Sequence, residues 1–131
     1  QKQRIAIAGI LAMQSHCIVL DEPTAMLDPI GRSEVMDTIR QLNAEGITVI
    51  IITHFMEEAV QAGRVVVVNH GEVQMDGTPR DVFKHVEELK NMGLDVPAAA
   101  EIAYKLRQKG IPLPDDIITK EELGDALCRL N

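Results

Sequence analysis

A short apolar run that ends in two adjacent carboxylates constrains this sequence more than any other feature. The run Cys17–Leu20 leads directly into Asp21 and Glu22, and Pro23 follows. A continuous apolar run of this length predicts a strand buried on both faces, as in a parallel sheet. Proline lacks a backbone N–H group and ends the strand. Since ligands bind at the carboxyl ends of strands in open α/β sheets, Asp21 and Glu22 are placed to handle a metal ion and a water molecule.

The segments that follow predict an α/β fold. Asp28 and Pro29 have the residue types of a helix N-cap and a first helical position, and the helix runs to about Ala44. Residues 48–52 form a second continuous apolar strand, rich in β-branched side chains, with His54 just beyond its carboxyl end. We also predict a buried helix over 5–13, a short helix over 56–62, a strand over 64–69, an edge strand over 72–76 and a helix that Thr78 caps.

Composition narrows the function classes. The chain has 131 residues, of which 46% are hydrophobic, and this is enough for a domain with a real core. With 13 basic and 20 acidic side chains the net charge is -7, which disfavours nucleic acid as a partner. No apolar run is long enough to cross a bilayer, so any membrane role is expected to depend on a partner. Cys17 and Cys128 lack zinc spacing, and a buried Cys17 in a reducing cytoplasm is the simpler interpretation.

The character of the sequence changes from about His85, where strand patterns disappear and three short helical segments follow. Residues 97–109 carry one apolar face. Thr119 to Glu122 fits a capping box. The last helix then carries an apolar stripe made of Leu123, Ala126, Leu127 and Leu130. This helical tail either packs on its own domain or offers a surface to a second subunit.

Four motifs in chain order resemble those of ATP-binding cassette (ABC) ATPases. Cys17–Thr24 is similar to the Walker B motif, and Gln1–Arg4 is similar to the end of the family signature and its basic residues. Ala25–Asp28 resembles the D-loop, and Ile51–His54 resembles the strand end that carries the switch histidine. An apolar run ending in Asp-Glu is weak alone, but four motifs at family-like order and spacing are specific.

The resemblance implies roles for five residues and two cofactors, ATP and Mg²⁺. Asp21 would hold Mg²⁺, Glu22 would act as general base on the attacking water, and His54 would contact the γ-phosphate. Gln1 would belong to the nucleotide-binding signature, and Asp28 would link the two active sites of a dimer through the D-loop. The N-cap role of Asp28 is compatible with this second role.

The implied fold is the C-terminal part of a RecA-like P-loop NTPase domain at residues 1–84, with a mostly parallel sheet and helices, followed by a small helical extension at 85–131. Three segments then narrow the resemblance. Gly77–Phe83, Gly93–Pro97 and Gly110–Pro114 resemble the ATPase subunits of energy-coupling factor (ECF) transporters, the group that includes cobalt and nickel uptake ATPases. The implied function is ATP hydrolysis that energises a membrane importer of vitamins or of cobalt or nickel ions.

The implied partners are a second ABC ATPase subunit, identical or different, and a transmembrane transport subunit, with no nucleic acid. The expected location is the cytoplasmic face of the cell membrane. Two alternatives stay open: a non-transport ABC ATPase that acts on DNA or ribosomes, and a non-catalytic interaction fragment. The acidic charge and the ECF-like tail disfavour the first of these.

The sequence contains no Gly-x-x-x-x-Gly-Lys-Ser/Thr run. It therefore supplies neither the backbone amides that cradle phosphates nor the lysine that reaches them. In the ABC family, the strand before that loop lies between the strands predicted over 48–52 and 64–69. We therefore interpret the sequence as the C-terminal part of a longer ATPase, and expect the isolated polypeptide to be inactive.

Overall fold

A computed structural model describes residues 5, 8, 9 and 12–130, which form two compact units, Gln1–His54 and Phe55–Asn131. Strands and helices are mixed along the chain, as predicted for the α/β class. The elements, in order, are β1 (Cys17–Asp21), α1 (Pro29–Ala44), β2 (Thr48–Ile52), α2 (Met56–Ala59), β3 (Val65–Asn69), β4 (Glu72–Gly77), α3 (Pro79–Phe83), α4 (Val86–Asn91), α5 (Ala98–Gln108) and α6 (Lys120–Cys128).

The first unit is a β–α–β arrangement. β1 and β2 pair in parallel, in a register that runs from Cys17 opposite Thr48 to Asp21 opposite Ile52. Two parallel strands cannot be joined by a tight turn, and α1 provides the long connection that they need. β2 has the predicted bounds, and both strands end at the same edge of the sheet.

One face of this two-stranded sheet packs on α1. The buried residues of the helix are Val35, Met36, Ile39 and Leu42, and they pack with Ile18 of β1. Burying an aliphatic side chain of this size contributes about 1.5–3 kcal/mol relative to leaving it exposed. The buried residues of α1 therefore share one face, and their contact with the sheet is the core of the unit.

The opposite face of the sheet is exposed. Val19, Ile50 and Ile52 are 58%, 48% and 53% exposed. The predicted burial of β1 on both faces is therefore wrong within this unit, because α1 packs on one face only. Cys17 is also exposed, contrary to prediction. Burial of the first predicted helix is likewise wrong at Ile5, whose residue is 71% exposed.

The second unit begins with α2 and an antiparallel hairpin of β3 and β4. The turn residues His70 and Gly71 have φ values of 51° and 80°. Two successive left-handed residues are what a two-residue type I′ hairpin turn requires, and its twist matches that of the strands. A register shift between Val67 and Val68 marks a β-bulge in the pairing. The strand predicted over 72–76 is confirmed, and it pairs with β3 as a hairpin.

Four helices follow the hairpin and form two apolar clusters. The larger cluster joins β3 to α3, α4 and α5 through Val67, Val82, Phe83, Val86, Leu89, Val96, Ala100 and Ile118. The smaller one joins α5 to the segment before α6 through Ala99, Ala103, Leu113 and Ile117. Leu89 and Ala103 are 1% and 0% exposed, so α4 and α5 are fixed by close packing.

Polar caps set the helix starts of this unit. Thr78 accepts a hydrogen bond from the Asp81 N–H group at 3.2 Å and caps α3. Thr119 and Glu122 form the predicted capping box at the start of α6. Among the residues described, no helix is long and apolar enough to cross a membrane. The predicted domain division at residue 85 stays a prediction.

Candidate functional site

The carboxyl ends of β1 and β2 bring two of the predicted site residues into contact. His54 Nδ1 lies 2.7 Å from Glu22 Oε1. Since a carboxylate only accepts hydrogen bonds, Nδ1 carries the proton in this contact. The side chains are 64% exposed for His54 and 40% exposed for Glu22, so both can reach a ligand in solvent. An exposed pair of this kind adds little stability.

The backbone around Glu22 departs from the strand abruptly. Its φ is 47°, in the left-handed region. The Glu22 N–H group donates to the Ile52 carbonyl oxygen at 2.8 Å, which extends the β1–β2 ladder by one bond. The Ala25 N–H group then donates to the Glu22 carbonyl oxygen at 3.2 Å, which closes a turn. Pro23 and Thr24 inside this turn are buried.

Asp21, the predicted metal ligand, is the last residue of β1 and is exposed. In the described part of the chain, no group of three or more His, Cys, Asp or Glu side chains could hold a metal ion. Mg²⁺ commonly binds through one or two carboxylates, several waters and substrate phosphates rather than an all-protein cage. The exposed carboxylate of Asp21 therefore fits a magnesium ion that arrives with phosphates.

Asp28 has the predicted capping role. Its carboxylate accepts a hydrogen bond from the Gly31 N–H group at 2.8 Å at the start of α1. A Cβ atom at Gly31 would lie 2.9 Å from Asp28 Oδ1, so glycine allows this close approach. Arg32 Nε donates to the Leu27 carbonyl oxygen at 3.2 Å, which ties the segment before α1 to the helix. A nucleotide-binding role for Asp28 stays a prediction.

The structure brings some of the predicted site residues together, and one of them lies outside the part of the chain that it describes. Glu22 and His54 are in direct contact, and Asp21 adjoins them at the end of β1. Gln1 lies outside the described residues. Sequence reasoning missed the left-handed backbone of Glu22 and the Gly31 contact. Pro23 signals only that the backbone of Glu22 is restricted, since the right-handed helical region is disfavoured for a residue before proline.

Comparison with known proteins gives the family. A family model described as the energy-coupling factor transporter EcfA1 C-terminal domain matches residues 99–131. A protein named energy-coupling factor transporter ATP-binding protein EcfA1, from Caldanaerobacter subterraneus subsp. tengcongensis, is 64% identical over 98% of this chain. The chain belongs to the ECF transporter ATP-binding protein family. The protein of the same name from Clostridium novyi is 58% identical over 99% of the chain. The chain spans about half the length of these ECF relatives, 47% of each.

Solved structures confirm the predicted fold of this ECF family member. The structure of cbiO1 from Clostridium perfringens, described as part of the ABC transporter complex cbiONQ, has a TM-score of 0.58 and 41% identity. The match covers 67% of this chain and 36% of that one. An ATP-binding cassette, described as a dimer in a post-hydrolysis state with ADP and Pi, has a TM-score of 0.55 and 34% identity, covering 60% and 34%. The shared fold is the α/β fold of ABC ATPases.

Proposed function

We propose that this chain forms part of an ATPase subunit that energises an ECF-type importer. The observation that carries the proposal is the Glu22–His54 contact at the ends of two parallel strands, with Asp21 beside it. A carboxylate and an imidazole in hydrogen-bond contact can accept and donate a proton during a reaction. Family membership with proteins named as ATP-binding subunits supports the same assignment.

In this proposal, hydrolysis depends on positioning and electrostatics. Glu22 orients the attacking water and accepts its proton as general base. His54, when doubly protonated, keeps Nδ1–H on Glu22 and can donate from Nε2 to a γ-phosphate oxygen. Asp21 would hold Mg²⁺, which neutralises charge on the phosphates when it is bound. Asp28 and Gln1 would contribute from the D-loop and from the signature of the paired subunit.

The phosphate cradle has to come from other residues, because the sequence lacks a phosphate-loop motif. We therefore expect the 131-residue polypeptide alone to show neither tight Mg-ATP binding nor turnover, whereas a complete subunit that carries it shows both. Calorimetric titration with Mg-ATP, together with phosphate release, measures the two. Micromolar binding with turnover by the 131 residues alone would contradict the proposal that they supply only half of the site.

The proposed partners are a second ATPase subunit, identical or different, and a transmembrane transport subunit. Closure of the ATPase pair around nucleotide would drive that subunit, and attachment to it would place the protein at the cytoplasmic face of the membrane. The proposed cargo is a vitamin or a cobalt or nickel ion. The cbiO1 structure is described as part of an ABC transporter complex. This description supports a transport role over the alternative of a non-transport ABC ATPase that acts on DNA or ribosomes.

The α6 surface is the proposed pairing site. Leu123 and Ala126 pack against the smaller apolar cluster of their own unit. Leu127 and Leu130 are 38% and 42% exposed. The predicted apolar stripe is therefore divided. Leu123 and Ala126 pack inside their own unit, and Leu127 and Leu130 are exposed to solvent. Exposed leucines on α6 and just beyond it fit a contact with a second subunit.

Replacing Leu127 with Asp in a complete subunit should weaken the ATPase pair and leave a folded monomer, because a charge on this patch has to be desolvated in the pair. Light scattering measures the molar mass, and circular dichroism checks the fold. Cys128→Asp is the matched control, since it adds the same charge one residue away on α6 at an exposed position. An unchanged dimer, or outright unfolding, would favour a helix that packs only on its own domain.

A further inference from the structure

We infer that the left-handed backbone of Glu22 is a built-in positioning device, set by β2 and by Pro23 before any nucleotide arrives, that turns the carboxylate onto His54. The inference deepens the proposed hydrolysis and rests on it for the role of Glu22. Its structural half, the backbone geometry, can be tested without any activity.

The strand register shows why such a device is needed. Asp21 lies opposite Ile52, so a regular continuation of both strands would place Glu22 opposite Thr53. Successive side chains of a strand point to opposite faces of the sheet, so His54 would then lie on the other face from Glu22. Yet His54 Nδ1 and Glu22 Oε1 are 2.7 Å apart. Regular strands cannot produce this contact, and both segments leave the strand pattern here, since β1 ends at Asp21 and β2 ends at Ile52.

The backbone of Glu22 breaks the alternation at this point. A φ of 47° is unfavourable for a residue with a Cβ atom. It persists only where the surroundings determine it, and such residues cluster at functional sites. Here the Glu22 N–H group is held by the Ile52 carbonyl at 2.8 Å, and the Glu22 carbonyl is held by the Ala25 N–H group at 3.2 Å. The peptide groups on both sides of Glu22 are therefore fixed by hydrogen bonds from within the first unit.

Pro23 removes one of the alternative backbone conformations of Glu22. The proline ring disfavours the right-handed helical region for the residue before it. Glu22 is thus left with an extended backbone, which restores the alternation, or with the left-handed backbone that is observed. Pro23 is buried, so its ring is held in place. We assign Pro23 as a positioning residue that acts through Glu22, because its own side chain carries no group that could react.

The left-handed backbone of Glu22 should reverse the usual order of stability of a glycine and an alanine substitution. In an extended strand glycine is less stable than alanine, but at positive φ alanine carries the strain and glycine does not. In a complete subunit, Glu22→Gly should therefore melt at a Tm about 2 °C above that of Glu22→Ala. Val19 in β1 is the matched control: Val19→Gly should melt below Val19→Ala, as an extended residue does. A Glu22→Ala variant at least as stable as Glu22→Gly overturns the inference, whatever the ATPase activity.

The functional half is measured with Pro23→Ala. Once the backbone of Glu22 can relax, kcat should fall about tenfold while the KM for ATP stays unchanged, since misplacing a catalytic group affects the chemical step. In a Glu22→Gln background the same change should have no further effect, because Pro23 acts through the carboxylate. An equal loss in both backgrounds overturns the positioning role. If Glu22→Gln alone retains full turnover, the proposed base is wrong, and the melting order still reports separately on the backbone.

Discussion

Replacing Glu22 with glutamine should slow ATP turnover by roughly 10²-fold or more in a complete subunit, with ATP binding nearly intact. Glutamine keeps the size of the side chain and can still accept a hydrogen bond from His54 Nδ1, which lies 2.7 Å from Glu22 Oε1. It is a very poor base, so the proton of the attacking water loses its acceptor. Because hydrolysis then no longer reopens the pair, closed, ATP-loaded dimers should accumulate.

Asp21→Asn provides the contrast for this experiment. Removing the charge beside the metal should weaken the magnesium dependence and the nucleotide affinity together. Single-turnover hydrolysis and nucleotide titration of both variants separate the two patterns. Wild-type turnover by Glu22→Gln would show that Glu22 is not the base, and a normal affinity in Asp21→Asn would show that Asp21 is not at the metal.

The parts of the fold that depend on local residue types were predictable from sequence. α1 begins at Pro29 after the Asp28 cap because a short acceptor side chain and a fixed φ both favour a helix start there. The capping box at Thr119 and Glu122 is local in the same way. β2 follows from an unbroken run of β-branched residues with few other conformations open to it.

Burial was harder to predict because it depends on what lies across the face of an element. Cys17 and Val19 belong to an apolar run that is typical of a fully covered strand, yet both are exposed in the first unit. Leu127 follows the same rule: it shares a helical stripe with Leu123, but α6 turns only part of that stripe onto the small cluster. Periodicity predicts which face of an element is apolar, but it does not predict how much of that face other elements bury.

The candidate site was predictable as a location but not as a contact. Sequence reasoning placed Glu22 and His54 beyond the carboxyl ends of two strands, where a parallel sheet brings ligand-binding groups together. The regular period of a strand predicts opposite faces for the two side chains. Their contact forms where Glu22 has a left-handed backbone and His54 lies beyond the end of β2, and no side-chain pattern reports the sign of φ for a glutamate.

A second large effect is expected at Glu122, which joins α6 to α3. One carboxylate oxygen pairs with Arg80 Nη2, and the other accepts hydrogen bonds from the Ile118 and Thr119 N–H groups at 3.0 and 3.2 Å. Arg80 Nη1 also donates to the Asp116 carbonyl oxygen at 3.0 Å. Arg80 is the main reason that the pKa of Glu122 is lowered to about 2, and the two backbone N–H groups lower it further.

The sign of the pH dependence follows from this depressed pKa. The folded state favours the charged carboxylate, so the stabilisation is complete above the ordinary glutamate pKa of about 4.3. It is lost as the pH falls from there through a value of about 2, where the folded protein itself takes up the proton. After a discount for partial solvent exposure, Glu122→Gln should cost about 2 kcal/mol of local stability at pH 7.

Amide hydrogen exchange over 118–128 in a complete subunit measures this loss directly, because the α6 amides report local opening. At pH 7 they should exchange roughly 10- to 30-fold faster in Glu122→Gln than in the wild type, and the ratio of the two rates should fall toward one as the pH approaches about 2. Taking the ratio at each pH removes the intrinsic pH dependence of exchange. Asp76→Asn is the control, since its pair with Arg64 joins exposed side chains on the hairpin and should leave α6 unchanged. A ratio that does not vary with pH would show that the lost contact is packing or capping and not the charge of Glu122.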